Sequence, residues 1–437
     1  MSNPAACATP TPPTDMRYLL LALLLISPAL RALTLSEALE TALEHNPGEA
    51  AAQARLEQAR ARYLQSRASL SPRLALEASG THIRYSDSEQ RRIPGAPDTT
   101  DQFAAGVQAS WLLFDGGERR GRLRSADAGT QAAEAALALT RQELMQAVAR
   151  THHAARNARA ARRIAEADEA FNQRQLEETE TRRQAGQAAL AERLNFEIRL
   201  QQARAARVAA DSEESALLAA LGALLGLETA APAPTASDRT PHTPPEDFDA
   251  AWQLAETHLP ELALARAQRE AAQARYRAIR GERIPNIALF AGVEARREEN
   301  PDFGGDDLGQ SAGVVLSYDL WDGRARRNRT READAQIAEA DAELRETELN
   351  ARARLREALT RLQAARQQSE ISQTTLDLTR RNRELIENAH RAGTESLLRL
   401  NEAQRDFLNA ESRALQAELQ LRIAETESLR ATGTLQP

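Results

Sequence analysis

An internal duplication constrains the fold of this chain more than any other feature. The segment "HNPGEAAAQARLEQARARYLQSRASLSPRLAL" from His45 aligns without gaps with "HLPELALARAQREAAQARYRAIRGERIPNIAL" from His258. A second block aligns "FDG" at Phe114 with "WDG" at Trp321, and an Ala-Gly pair follows at the same spacing in both halves. Such a repeat predicts one supersecondary unit built twice.

Each half begins with a predicted helix. Apolar and polar residues recur at helical spacing from Leu35 to about Ser71 and from Phe248 to about Arg283. Pro72 and Pro285 follow these segments, so we expect each segment to form one helix that ends before its proline.

Two alternating segments follow each helix and predict strands. In "FAAGVQASWLLF" every second residue from Phe103 to Leu113 is apolar, and the stretch from Ala312 to Leu320 repeats this division. A soluble sheet with one buried face alternates in the same way. Four strands of about ten residues in an exported chain favour barrel strands with an outer apolar face. Because open edges do not occur in lipid, several chains must share one barrel, and three copies give twelve strands.

Long Ala/Arg/Glu tracts complete each half. The tract from Glu118 to Ala185 contains two glycines and no proline, and the tract from Arg324 to Ala392 contains neither. A continuous helix of about 69 residues reaches about 100 Å, roughly the depth of a periplasm. Gly186 and Gly393 follow the tracts, and we predict that each is the C′ residue of its helix and begins a helical hairpin.

The N-terminal region predicts export. Arg17 precedes "YLLLALLLISPAL", and small residues follow near Ala29 and Ala32, as in a secretory signal peptide. We assign residues 1–32 to this peptide and expect Met16 to be the true start, with residues 1–15 an over-extended gene model. A buried core helix is the other interpretation, but the basic flank and terminal position favour export. Cleavage would remove Cys7, the single cysteine.

The predicted organisation after the signal peptide is a first repeat at 33–227, a Pro-rich linker at 228–247 and a second repeat at 248–434. The formal net charge of −7 gives no indication of nucleic-acid binding. All basic residues counted as Lys or Arg are arginine, which excludes lysine-dependent sites. His152 and His153 are adjacent and face different sides of a helix, so we predict no metal site. No motif predicts catalysis or a cofactor.

The order of these elements resembles the TolC-like outer-membrane efflux family. The likeness rests on "LSEALETALEHNP" at Leu35, "FDGG" at Phe114, "WDG" at Trp321 and "AGTESLLRLNEAQ" at Ala392, and it covers essentially the whole mature chain. The resemblance implies a mainly α protein with long helical hairpins forming an α-barrel. Four strands per protomer would contribute to a twelve-stranded barrel in a homotrimer.

The resemblance also implies a function and its partners. The trimer would lie in the outer membrane, contact its lipid, and extend into the periplasm. It would export drugs, metals, peptides or proteins received from an inner-membrane pump of RND, ABC or MFS type through a periplasmic adaptor. A periplasmic coiled-coil adaptor or scaffold is the alternative, although it should carry one hairpin rather than two. An envelope hydrolase would need a nucleophile or metal constellation.

Functional positions carried over from the family lie at the hairpins. The periplasmic tips that an adaptor would contact contain Gly186, Gln187, Gly393 and Thr394. The carboxylates and polar links that close the tip correspond to Glu192, Glu395, Arg399 and Glu402. The charge order departs from the family pattern, because Arg399 stands where a lumenal aspartate is common and Glu395 where some members carry arginine. We expect Arg399 to pair with Glu192 or Glu402 in the closed state; ordinary solvated helix faces are the alternative.

The repeated Asp-Gly motif predicts the membrane boundary. We expect each membrane strand to end, and the periplasmic helix that follows it to begin, at one of two matching motifs. These are Phe114, Asp115 and Gly116 in the first half and Trp321, Asp322 and Gly323 in the second. Arginines follow in register in both halves, and we expect them beneath the inner leaflet, near lipid phosphates. These are Arg119, Arg120, Arg122, Arg124, Arg326, Arg327, Arg329 and Arg331.

Overall fold

The computed structural model describes residues 33–90, 98–235 and 245–436. The predicted signal peptide and residues 236–244 of the predicted linker lie outside these residues. The elements of the first half are α1 Leu35–His45, α2 Pro47–Ala68, β1 Arg73–Arg84, β2 Thr99–Phe114, α3 Glu118–Gln184 and α4 Leu190–Leu224. The elements of the second half are α5 Phe248–His258, α6 Pro260–Gly281, β3 Asn286–Glu298, β4 Leu308–Ser317, α7 Ala325–Arg391 and α8 Leu397–Ala431. Short helical turns at Asp87–Gln90 and Gly305–Asp307 precede β2 and β4.

The first helical segment of each half is broken in two, so the prediction of one helix per segment was wrong. Asn46 has an extended backbone, and its side chain accepts a hydrogen bond from Gly48 N (2.8 Å) at the start of α2. Leu259 is extended in the same way before Pro260. A proline disfavours the helical conformation of the residue before it and is suited to the first turn of a helix. Each segment therefore restarts at its proline.

The two long helices agree with the sequence prediction to within one residue. Helices α3 and α7 each contain 67 residues, which corresponds to about 100 Å of helix. Their sequences are rich in Arg and Glu as well as Ala. None of the helices in the described part of the chain has the length and apolar character needed to cross a membrane.

All four strands form one antiparallel sheet in the order β1-β2-β3-β4. The two halves therefore join through the β2–β3 pair. Cross-strand partners share a face, and one row reads Leu76, Val107 and Val293. The adjacent row on the other face contains Glu77 and Glu294. One face of the sheet is thus apolar and the other polar, as the alternation predicts.

The apolar face of the sheet is exposed. Leu76 is 78% exposed, and Val314 on the opposite edge strand is 66% exposed. Contiguous apolar surface of this kind marks a site for lipid or a partner. Strand β4 ends at Ser317, which pairs with Asn286, so the predicted continuation of this strand to Leu320 was wrong. Pro285, which lacks an N–H group, precedes Asn286, and the ladder stops there.

The chain divides into two compact units. The first, called the strand unit, comprises residues 43–90, 98–147, 245–371 and 420–436 of the described chain and contains the sheet. One of its buried clusters includes Trp252, Leu262 and Leu355. The second, called the hairpin unit, comprises residues 33–42, 148–235 and 372–419 of the described chain. Leu376 and Phe407 belong to its buried cluster.

Candidate functional site

The junction between β2 and α3 is organised by one carboxylate. Asp115 is 5% exposed, and its Oδ1 accepts a hydrogen bond from Gly117 N (3.1 Å). Its Oδ2 accepts from Arg119 N (3.0 Å) and from Arg119 Nε (2.7 Å). The first N–H groups of a helix have no intrahelical partner, so Asp115 caps α3. Gly116 and Gly117 have positive φ values of 64° and 90°, which let the chain turn sharply here.

Arg119 connects this cap to two other segments. Its Nη1 donates to Ser69 O (2.9 Å) at the C-terminal end of α2, and its Nη2 donates to Leu112 O near the end of β2. The arginine side chain is 12% exposed. One guanidinium therefore holds the end of a helix, the end of a strand and the start of the long helix. We call Asp115 and Arg119 the first junction pair.

The second half repeats this arrangement with Asp322 and Arg326, the second junction pair. Asp322 Oδ2 accepts from Arg326 N and from Arg326 Nε, both at 2.8 Å. Arg326 Nη1 donates to Glu282 O (3.4 Å), and its Nη2 donates to Asp319 O. These carbonyls occupy the repeat positions of Ser69 and Leu112. This role was not predicted, although an Asp and an Arg four residues apart in both copies indicated it.

Two of the eight predicted lipid-facing arginines face inward instead. Arg119 and Arg326 are 12% and 15% exposed, and the junction carbonyls take up their donors. The prediction that they lie against lipid phosphates was wrong for these two. Of the remaining arginines, Arg122 pairs with Glu118 and Arg329 with Glu282. The side chains of Arg120, Arg124, Arg327 and Arg331 are exposed.

The junction carboxyls are held in their ionised form. Burial alone would raise the pKa of Asp115, but the hydrogen bonds from Arg119 and Gly117 outweigh it and leave this pKa below its ordinary value. The hydrogen bonds from the Arg326 backbone and side chain lower the pKa of Asp322. Both carboxylates are therefore ionised at neutral pH.

The aromatic residues of the predicted boundary differ in exposure. Phe114 is 46% exposed at the end of β2, and Trp321 is 80% exposed after β4. The glycines of the two motifs both have φ of 64°, but their surroundings differ. A Cβ on Gly116 would lie 2.5 Å from Gly281 O, whereas one on Gly323 would meet no atom within 4 Å. The first junction is thus the more closely packed one.

The hairpin turns have one backbone design in both halves. Gly186 has φ of 75°; its N–H donates to Arg183 O (3.0 Å), and Gln187 N donates to Arg182 O (2.7 Å). This pair of bonds is a Schellman motif. Gly393 has φ of 77°, with the same bonds from its own N–H to His390 O (2.9 Å) and from Thr394 N to Ala389 O (3.0 Å). The predicted C′ conformation of both glycines is confirmed.

The predicted gate residues lie next to these turns. Arg399 Nη1 is 4.0 Å from Glu402 Oε2, and these side chains are 68% and 46% exposed. An exposed pair of this kind contributes about 0–1 kcal/mol. Glu192 Oε1 lies 3.4 Å from Arg182 Nη1, so Glu192 pairs with Arg182 and not with Arg399. Glu395 presents its backbone carbonyl to His390 Nδ1 at 3.0 Å.

Ion pairs across the first hairpin were not predicted. Glu180 on α3 lies 3.0 Å from Arg193 on α4, next to the Arg182–Glu192 pair. Hydrogen bonds from Arg183 and Gln184 lower the pKa of Glu180 to about 2. The two helices of this hairpin are therefore linked by two oppositely oriented pairs, Glu180 to Arg193 and Arg182 to Glu192.

Two polar contacts link α3 to other segments of the hairpin unit. Asp168 Oδ1 on α3 accepts from Gln404 Nε2 on α8 at 3.0 Å, and burial raises the pKa of this carboxyl. His152 is 1% exposed, and its Nε2 donates to Leu33 O at 3.1 Å. Burial lowers the pKa of His152. The described residues contain no cluster of His, Cys, Asp and Glu that could hold a metal ion.

Comparison with known protein families identifies the family of this chain. The model described as "Outer membrane efflux protein" matches residues 38–227 and 251–434, which include nearly all of both halves. The chain belongs to the outer membrane efflux protein family. A curated relative, Protein CyaE of Bordetella pertussis, is 30% identical over 412 residues, covering 92% of this chain and 84% of the relative.

Solved structures show the same fold. The outer membrane protein VceC of Vibrio cholerae matches with a TM-score of 0.77 and 20% identity, over 91% of this chain and 96% of that one. The CmeC outer membrane channel of Campylobacter jejuni matches with a TM-score of 0.82 and 17% identity, over 92% and 85%. The TolC-like fold expected from the sequence is confirmed.

Membership of the outer membrane efflux protein family establishes the general role. The protein is an outer-membrane channel that extends into the periplasm and serves as an exit duct of an efflux or secretion system. The family is one of transport ducts and not of enzymes. Its members form trimers and work with adaptors and inner-membrane pumps.

Proposed function

We propose that three copies of this chain close a twelve-stranded barrel and form the exit duct of a tripartite efflux or type I secretion system. The observation that carries the proposal is the four-stranded sheet, whose exposed apolar face suits lipid and whose polar face suits a water-filled lumen. Its outer strands, β1 and β4, each pair on one side only among the described residues. Neighbouring protomers would supply the missing partners.

This chain would not chemically modify the substrate that passes through the duct. An inner-membrane pump of RND, ABC or MFS type would supply the energy, and a periplasmic adaptor would contact the turns at Gly186, Gln187, Gly393 and Thr394. The exposed Schellman turns support this assignment, since they present a repeated backbone shape in both halves. The exported substrate would be a drug, a metal, a peptide or a protein.

We further propose that residues 1–32 are a signal peptide removed during export. The mature protein would then consist of the repeats 33–227 and 248–434 joined by the linker 228–247. N-terminal sequencing of the mature protein tests the cleavage position.

Fractionation and conductance test the duct itself. The full chain should fractionate with the outer membrane, run as a heat-sensitive trimer, and form pores in a planar bilayer. Cysteines at cross-strand positions of β1 and β4 should cross-link between protomers, whereas a control cysteine pair placed on α2 and α6 should not. Recovery as a soluble periplasmic monomer would contradict the proposal and support the adaptor or scaffold alternative.

A further inference from the structure

The strand unit contains a cleft of about 600 Å³ close to the sheet. It lies among α2, α3, α7 and the C-terminal end of α6, on the helices that lead into or out of the strands. Its volume falls within the range of small-molecule sites. The lining residues are Ala59, Arg62, Arg122, Ser125, Ala126, Gly129, Arg275, Ala278, Ile279, Glu282, Arg329 and Glu332. We call this cleft the arginine groove.

Four arginines line the groove, and they are two pairs of repeat-equivalent positions. Arg62 of α2 corresponds to Arg275 of α6 in the first aligned block, and Arg122 of α3 corresponds to Arg329 of α7 in the second. Each half of the chain therefore contributes the same two arginines to one cleft. The duplication brings four guanidinium groups around a single space.

The charges around the groove are not balanced. Arg329 Nη1 lies 2.7 Å from Glu282 Oε2, and Arg122 pairs with Glu118, outside the lining. Arg62 and Arg275 are exposed and form no ion pair with any described residue. Glu282 and Glu332 are the carboxylates of the lining, against four arginines. The groove thus carries surplus positive charge and two guanidinium groups available to a ligand.

Small residues leave the space between the arginines open. Ala59, Ala126 and Ala278 form part of the wall, with Gly129 on α3. A Cβ added to Gly129 would meet no atom within 4 Å. The interior of the groove can therefore receive a ligand group without displacing any side chain.

We propose that the arginine groove binds a phosphate group, with Arg62 and Arg275 as its principal ligands. A guanidinium presents paired N–H donors that match the geometry of phosphate oxygens, and a charge-assisted pair of this kind is about twice as strong as a neutral hydrogen bond. The phosphate belongs either to a lipid headgroup or to a free phosphate. Strand β2 ends at Phe114 and α3 begins at Glu118, and Arg122 lies four residues into α3, about 6 Å of helix, so the groove lies close to the end of the strands. This site goes beyond the duct function and does not depend on it.

Ligand binding to the purified full-length protein in a nonionic detergent tests the proposal. Calorimetry with inorganic phosphate and with dioctanoyl phosphatidylglycerol gives the two affinities. The double variant R62Q/R275Q should bind the preferred ligand at least about tenfold more weakly. The matched control is R174Q/R381Q, which removes a repeat-equivalent pair of exposed arginines of the hairpin unit, outside the groove lining. Tighter binding of the lipid identifies a headgroup site, and equal binding of inorganic phosphate identifies a free-anion site.

A second variant tests the cavity while keeping every arginine. Gly129→Leu should fill the groove and weaken binding to a similar degree, and leucine is the better helix former, so α3 should be retained. Circular dichroism checks that each variant keeps its helix content. Three results would overturn the proposal: no binding of either ligand to the wild-type protein, unchanged binding by R62Q/R275Q or Gly129→Leu, or an equal loss in the control. None of them would bear on pore formation, which is measured separately.

Discussion

Arg119 Nε lies 2.7 Å from Asp115 Oδ2, and through this pair the end of α2, the end of β2 and the start of α3 are joined. The carboxylate caps the long helix, and the guanidinium satisfies carbonyls of the two preceding elements. Arg326 and Asp322 repeat the relationship at 2.8 Å in the second half. The conversion of strand into helix therefore depends on a buried or nearly buried ion pair in both copies.

We expect Asp115→Asn to destabilise the strand unit by about 3–5 kcal/mol, because it leaves the Arg119 charge buried without its partner. Asp322→Asn should cost less, since that carboxylate side chain is 22% exposed against 8% for Asp115. The thermal midpoint of the purified protein measures both. Equal midpoints for the two variants would contradict the buried-pair explanation.

Gly116→Ala and Gly323→Ala separate backbone strain from steric conflict. Both glycines have φ of 64°, so each substitution carries the left-handed penalty of roughly 1–2 kcal/mol. Only at Gly116 would the new Cβ also meet Gly281 O, at 2.5 Å. Gly116→Ala should therefore lower the thermal midpoint more than Gly323→Ala. A larger effect at Gly323 would contradict the structure of the first junction.

The buried His152 makes the hairpin unit sensitive to acid. Burial lowers its pKa below the ordinary value of 6.5, so the unfolded chain binds the proton more readily than the folded chain. The stability that this residue contributes is fully present above about pH 6.5 and is lost as the pH falls through the window below it. Midpoints measured from pH 8 to 5 should fall more steeply in the wild type than in His152→Gln. His45→Gln, at the surface, serves as the control; a slope unchanged in His152→Gln would contradict this assignment.

The contribution of Asp168 to stability should have the opposite pH dependence. Burial raises its pKa above the ordinary value of 3.8, so the folded state retains the proton and stability declines as the pH rises through this window. Asp168→Asn keeps an acceptor for Gln404 and removes the partly buried charge. The variant should melt at a higher temperature than the wild type at pH 7 and at about the same temperature at pH 3. A lower midpoint at pH 7 would show that the charge is stabilising.

The gate residues are tested by conductance. Removing the Arg399–Glu402 pair with R399A/E402A should raise single-channel conductance in a planar bilayer, because a polar link at the tip would be lost. R405A/D406A, exposed on the same helix, is the matched control. If R399A/E402A leaves the conductance unchanged, Arg399 and Glu402 are ordinary solvated residues of the helix and do not form a gate.

The sequence determined the order of the helical and strand segments and the extent of the two long helices. Long proline-free tracts define α3 and α7 to within one residue, since nothing in them interrupts the helical hydrogen bonds. Alternation defines the sheet faces because side chains alternate with period two along a strand. Gly186 and Gly393 mark the turns because they adopt positive φ at little cost.

Only the tertiary structure decided how the junctions and the arginine groove are built. Arg119 reaches the carbonyl of Ser69, 50 residues away along the chain, and no local pattern specifies that distance. The pairing of β2 with β3 brings the two halves side by side, so equivalent arginines from both meet in one cleft. Local spacing fixes which face of an element a residue occupies, whereas its partners depend on which elements the fold brings together. For this reason the sequence alone placed Arg119 with lipid, and the folded chain places it within the protein.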